Sequence, residues 1–255
     1  RYGMVGRRVM VDEYKDTPEF KNWFDKSVTT DKEGNPQTFY HATSASKDFD
    51  TFNTRDSTNF GSHFGSNTLA NWYADAQTDA HKRIMPVHLA FKNPLRLIDN
   101  EDYWTSDVIL GQLNNLGLIN DAQHIKAEKI IDSIKGSKNQ TKFLHRLINK
   151  LGYDSIVYLN RYEVPDMHVD NIHPDDIANL SDEEFKKKYP DAEDSYIALR
   201  PNQIKSTVGN KGTFDPKSGS IIDEYKDNDN FKQWFNGSKI VDDNGEPLVV
   251  YHGTG

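Results

Sequence analysis

An α+β fold is what this chain predicts, and three observations carry the prediction. Strand-like and helix-like stretches are interspersed along its length, which calls for a mixed fold. Three helical stretches follow one another between residues 105 and 151, which departs from the strict alternation of a doubly wound parallel sheet. Neither a dinucleotide-binding glycine fingerprint nor a phosphate-cradling P-loop occurs in the 255 residues.

The elements follow in order. TPEFKNWFDKS (17–27) reads as a short helix. Thr17 can cap it, Pro18 suits the first helical position, and Phe20, Trp23 and Phe24 form one apolar face. DKEGNP (31–36) is turn chemistry, and QTFYHA (37–42) reads as a strand. The polar, glycine-punctuated stretch 46–66 is expected to be mostly loop. A helix over 68–83 and a strand, turn and extended piece over 84–99 come next. The helical cluster occupies roughly 105–116, 121–135 and 139–151, with Val108, Ile109, Leu113 and Leu116 turned inward in its first member. Gly152 stops the cluster. YDSIVYLN (153–160) is a near-continuous apolar strand, 173–191 is a charged helix, and DSYIALRP (194–201) is a strand that NQIKS extends.

Composition limits the function classes. A hydrophobic share of 35% against 27% charged residues fits an ordinary domain with a wet surface. No apolar run approaches the roughly 18 residues of a membrane span, so no membrane partner is expected. There is no cysteine, which excludes disulfides, thiolate metal sites and a cysteine nucleophile. A net charge of −8 argues against a broad nucleic-acid footprint. MHVDNIHPDD (167–176) offers His168, Asp170, His173 and Asp175. Their spacing matches no strong zinc pattern, so a polar loop leading into a capped helix is expected, and no metal.

The chain repeats itself. Residues 12–44 align without a gap onto 223–255, with 16 identities in 33 pairs and a constant offset of 211. Asp12 matches Asp223, Trp23 matches Trp234, and YHAT (40–43) matches YHGT (251–254). This predicts an upstream linker at 1–11, a complete domain at 12–206 and a Gly/Lys/Pro/Ser linker at 207–221. The first part of a second tandem copy then occupies 222–255.

Two stretches stand out as chemistry. His41 is strand-borne and followed by Ala42, Thr43 and Ser44, so a ligand can approach the backbone and the imidazole can donate to a ligand hydroxyl. GSHFGS (61–66) gives His63 backbone freedom on both sides, and the next helix carries Trp72 and Tyr73 as an aromatic wall. Each also reads as ordinary structure, a strand-end histidine and a loop before a core helix. Retention of the Tyr-His-small-Thr pattern in both copies favours the first reading for His41.

In this order, YHATS, DFDTF (48–52), GSHFGS with its helix, VHLAFKNPLRL (87–97), GYDSIVYLNRYE (152–163), DSYIALRPNQIKS (194–206) and GNKGTFDP (209–216) resemble the ADP-ribosyltransferases of the diphtheria-toxin and poly-ADP-ribose-polymerase branch. The closest resemblance is to transferase domains embedded in phage and mobile-element polyvalent proteins. It implies a split antiparallel β-sheet core with an inserted helical cluster and NAD, as substrate, in the cleft. It also implies that His41 contacts the ribose hydroxyls and that the backbone at Ala42 and Thr43 holds the nicotinamide amide. The stacking position, usually tyrosine, falls on His63 beside Gly61, with Trp72 or Tyr73 as a further wall. The usual glutamate falls on Ser195.

That last departure matters because cleavage of the nicotinamide–ribose bond passes through an oxocarbenium-like state that an anion stabilises. The candidate carboxylates are Glu193, Glu163 and Asp194, in that order, with Ser195 as a binding contact. Asp194 faces away on an ideal strand, and Glu193 lies one same-face step earlier, about 7 Å along. The resemblance implies transfer of single ADP-ribose units to a host protein or nucleic acid, in the cytoplasm of a bacterial host reached by delivery from a virion. The alternative is a degenerate NAD- or ADP-ribose-binding or structural module of a tandem array.

Overall fold

The computed structural model describes residues 13–45, 49–55, 60–76, 82–99, 104–164, 172–210, 212–222 and 235–241. The linker at 1–11 and most of the second copy, including Asp223, Trp234 and His252, lie outside the described residues. So do His168 and Asp170 of the polar loop.

Two sheets form the frame. The first joins β1 (Phe39–Thr43), β3 (Arg83–Leu89) and β7 (Ile204–Ser206) in the order β1-β3-β7, all antiparallel. The second runs β2 (Ser62–Phe64), β6 (Asp194–Ala198), β5 (Ser155–Leu159) and β4 (Pro94–Arg96). Its pairs are antiparallel except β4–β5, which is parallel. The sheets meet where Tyr40 and Gly65 exchange backbone hydrogen bonds of 2.9 and 3.0 Å. The expected split α+β architecture is therefore present, with one parallel pair at the β4 edge.

Among the described residues seven helices complete it. α1 (Pro18–Phe24) is capped by Thr17 and buries Phe20 and Trp23. α2 (Asn67–Ala76) follows β2. α3 (Ser106–Asn115), α4 (Asp121–Ser133) and α5 (Ser137–Lys150) form the inserted cluster and pack Ile109, Leu113, Ile131, Leu144 and Ile148 against Ile156 and Ile197 of the four-stranded sheet. Leu110 takes the inward place expected for Leu116, which is 51% exposed where the helix ends.

Four local expectations change. The loop over 46–66 contains β2, because Gly61 lets the chain lie directly on β6. A side chain there would meet the Ala198 carbonyl and the Ile197 methyl at 2.8 Å each. The charged helix over 173–191 is two short ones, α6 (Pro174–Asn179) and α7 (Asp182–Lys188), because Ser181 starts α7 with its own capping box. NQIKS does not extend β6. Pro201–Gln203 makes a 3-10 turn that carries the chain across to β7 in the other sheet.

The stretch 207–221, read as a linker, is held against the fold where described. Phe214 is 1% exposed and lies in an aromatic cluster with Tyr14, Phe20 and Trp23. The Ser206 amide donates to Ile221, the Ile221 amide donates to Asp50, and buried Lys205 donates to the carbonyls of Ser218 and Ser220.

Candidate active site

A cleft of about 590 Å³ opens where the two sheets part. Its walls come from β1, β2, the first turns of α2 and the C-terminal end of β5 with the turn beyond it.

β1 delivers His41 from within a strand, opposite Met85. Its Nδ1 lies 2.7 Å from the His63 carbonyl oxygen. A carbonyl only accepts, so Nδ1 carries the proton and Nε2 presents a lone pair. Burial lowers the imidazole pKa below its ordinary 6.5, only partly offset by that hydrogen bond. At neutral pH His41 is an uncharged acceptor, not the donor expected from the sequence. Phe52 meets its ring edge to face at 5.0 Å.

β2 delivers His63, whose Nδ1 is 2.9 Å from the Tyr158 hydroxyl. Trp104 stands 6.3 Å from the His63 ring and 4.7 Å from the Tyr158 ring. Tyr158 stands directly opposite Ser195 across the ladder. Burial, then the Asp99 and Glu163 carboxylates, push the phenol well above its ordinary value, so it keeps its proton.

The end of β5 delivers Glu163 through an Asx-type turn. The Asn160 side-chain carbonyl accepts the Glu163 and Tyr162 amides, and its Nδ2 donates to Glu163 Oε2 at 2.9 Å. Arg161 anchors this turn. Its amide donates to Asp99, and its buried guanidinium donates to Ile177, Leu180 and Asp182.

The sequence candidates divide accordingly. His41, Ala42, Gly61, His63, Tyr73, Glu163 and Ser195 line the cleft. Thr43, Trp72, Glu193 and Asp194 do not. Thr43 accepts the Ala45 amide, in a turn after β1. Trp72 is half-buried on α2, while Tyr73 lines the cleft. The Glu193 carboxylate accepts the hydroxyl of Ser66 ahead of α2. Asp194 is paired with Arg96 on the sheet's other face, at 2.8 and 3.1 Å. Of the three candidate carboxylates, Glu163 is the one that lines the cleft.

Asp99, Trp104 and Tyr158 are among the lining residues that the sequence did not single out. Tyr158 had a signal, since a hydroxyl in an otherwise apolar run needs a buried partner. Asp99 and Trp104 had none, because only the fold brings them to β5. Among the described residues no group of three His, Asp or Glu side chains is arranged to hold a metal.

The profile of a family described as ADP-ribosyltransferase in polyvalent proteins matches residues 31–214. Searches of curated proteins and of solved structures returned no match.

Proposed function

The chain belongs to the family of ADP-ribosyltransferases in polyvalent proteins, and from that premise we propose that it cleaves the nicotinamide–ribose bond of NAD and passes single ADP-ribose units to a macromolecule of a bacterial host. The observation that carries this reading is the convergence of His41, His63 and Glu163 on one cleft from three separate segments.

In this reaction the C1′–nitrogen bond breaks and nicotinamide leaves with the electron pair. The acceptor nucleophile forms the new bond to C1′ and gives up its proton to a base. His41 Nε2 accepts from a ribose hydroxyl. Glu163 supplies the anion that offsets positive charge on the ribose, and Asn160 holds it in register. Glu163 also takes up the acceptor's proton. Glu193 and Asp194 have other partners, which supports Glu163 in this role. The uncharged Ser195 in the usual glutamate position supports mono-transfer over chain formation. Among the described residues no helix is long and apolar enough to cross a membrane, which is compatible with a site of action in the host cytoplasm. The sequence repeat supports a tandem arrangement of such domains.

The test is NAD carrying a labelled ADP-ribose moiety, incubated with the protein and bacterial lysate. Label transfer and nicotinamide release are expected, and His41→Ala and Glu163→Gln each lower the rate by roughly 10²–10³, whereas Glu193→Gln stays within about threefold of the unsubstituted protein. A second reading, a binding module without turnover, draws on Ser195, which carries no charge where the family's usual glutamate stands. Tight NAD binding by calorimetry with no nicotinamide release over hours would decide for it.

A further inference from the structure

We propose that Tyr158 is a positioning residue that holds His63 as a neutral imidazole with its proton on Nε2. The inference rests on the reading above in one respect, that His63 is the side chain beside the nicotinamide ring.

The ladder places the parts. Ser195 and Tyr158 are directly opposed on β6 and β5, and His63 on β2 is opposed to Ile197, two residues along β6 from Ser195. Residues two apart share a face, so all three polar side chains stand on the cleft side of one sheet. Tyr158 is 5% exposed, so its hydroxyl must find a partner within the protein, and His63 supplies it.

Proton direction follows from acidity. A phenol is a stronger donor than a neutral imidazole N–H, and an imidazole nitrogen is a stronger acceptor than a phenol oxygen. The 2.9 Å contact is therefore Tyr158 O–H donating to His63 Nδ1. His63 Nδ1 therefore accepts, and the imidazole proton lies on Nε2.

The arrangement has a use. The nicotinamide ring of NAD is cationic, and an imidazolium beside it would repel it. The titratable groups around this wall are Tyr158 on β5, His41 on β1, Asp99 after β4 and Glu163 after β5. The two carboxylates favour a protonated His63. A hydrogen bond donated to Nδ1 favours the neutral ring, because protonation would break it. Tyr158 thus opposes the carboxylates that the reaction itself needs nearby.

The decisive experiment is nitrogen-detected NMR of histidine in the NAD-free protein, paired with a pH profile of nicotinamide release for Tyr158→Phe. The expected result is an Nε2–H tautomer for His63 in the unsubstituted protein, a readout that also serves if Tyr158→Phe melts too low to assay. In Tyr158→Phe, His63 protonates at higher pH, and turnover falls about tenfold at pH 6 while staying within about threefold at pH 8. An Nδ1–H tautomer in the unsubstituted protein overturns the proposal, as does a Tyr158→Phe loss that is uniform across pH. The tautomer is read without substrate, so a protein that never turns over NAD leaves this test intact.

Discussion

The two sheets reach one cleft by different means. The three-stranded sheet contributes His41 from inside a strand, where ladder partners on β3 fix the backbone and one hydrogen bond fixes the ring. The four-stranded sheet contributes Glu163 from beyond a strand end, where no ladder reaches. Its position depends on tethers: Asn160 within the turn, Asp99 on the Arg161 amide, and the Arg161 guanidinium on the ends of α6 and α7. A residue inside a strand is placed by register. A residue past the end is placed by whatever side chains hold the turn, and those come from distant sequence.

The sharpest way to break this contrast is Arg161→Met. Arg161 is 2% exposed, its guanidinium bonds two carbonyls and Asp182, and it lies 5.1 Å over the Phe185 ring. Removing it leaves the part-buried Ile177 and Leu180 carbonyls without their donor and Asp182 with Arg96 alone, a loss of about 3 kcal/mol. Urea denaturation should show that drop, and nicotinamide release should fall with it as the Glu163 turn loosens. The His41 resonances should stay where they are. If His41 shifts as much as Glu163, the two walls are not independently held.

The same contrast explains what was legible in the sequence. His41 could be found because strand, turn and small residues lie within ten positions of one another, and because the repeat preserves them. The helical cluster could be found because 3.6-residue periodicity survives in Ile109, Leu113, Ile131, Leu144 and Ile148. Glu163 was visible only as one carboxylate among three. Its rivals were removed by Ser66 and Arg96, which lie 127 and 98 residues from their partners. Such pairings are set by tertiary contact and leave no local pattern. β2 was missed because three residues between glycines carry too little alternation to read as a strand.

A second way to sharpen the comparison lies behind the three-stranded sheet. Phe214, at a left-handed φ of 39°, closes the aromatic cluster with Tyr14, Phe20 and Trp23. Phe214→Ala should cost about 3 kcal/mol in thermal or urea unfolding. A loss below about 0.5 kcal/mol, typical of an exposed site, would mean that this stretch is a linker after all. Turnover at a temperature where the variant is folded should change little, because the cluster lies on the far side of β3 from the cleft.

The smallest expected effect separates the carboxylates most cleanly. Asp194 and Ser195 are neighbours on β6, so their side chains emerge on opposite faces. Ser195 stands opposite Tyr158 on the cleft side, while Asp194 joins Arg96, which also holds Asp182. The Arg96 and Asp194 side chains are 45% and 32% exposed, so the pair is a surface one and Asp194→Asn should cost no more than about 1 kcal/mol. Its turnover should stay within about twofold of the unsubstituted protein, against the large loss expected for Glu163→Gln. A tenfold or greater loss with Asp194→Asn would restore the sequence-based candidate. It would also mean that the outer face of the four-stranded sheet contributes to the reaction, which a cleft built on Glu163 does not allow.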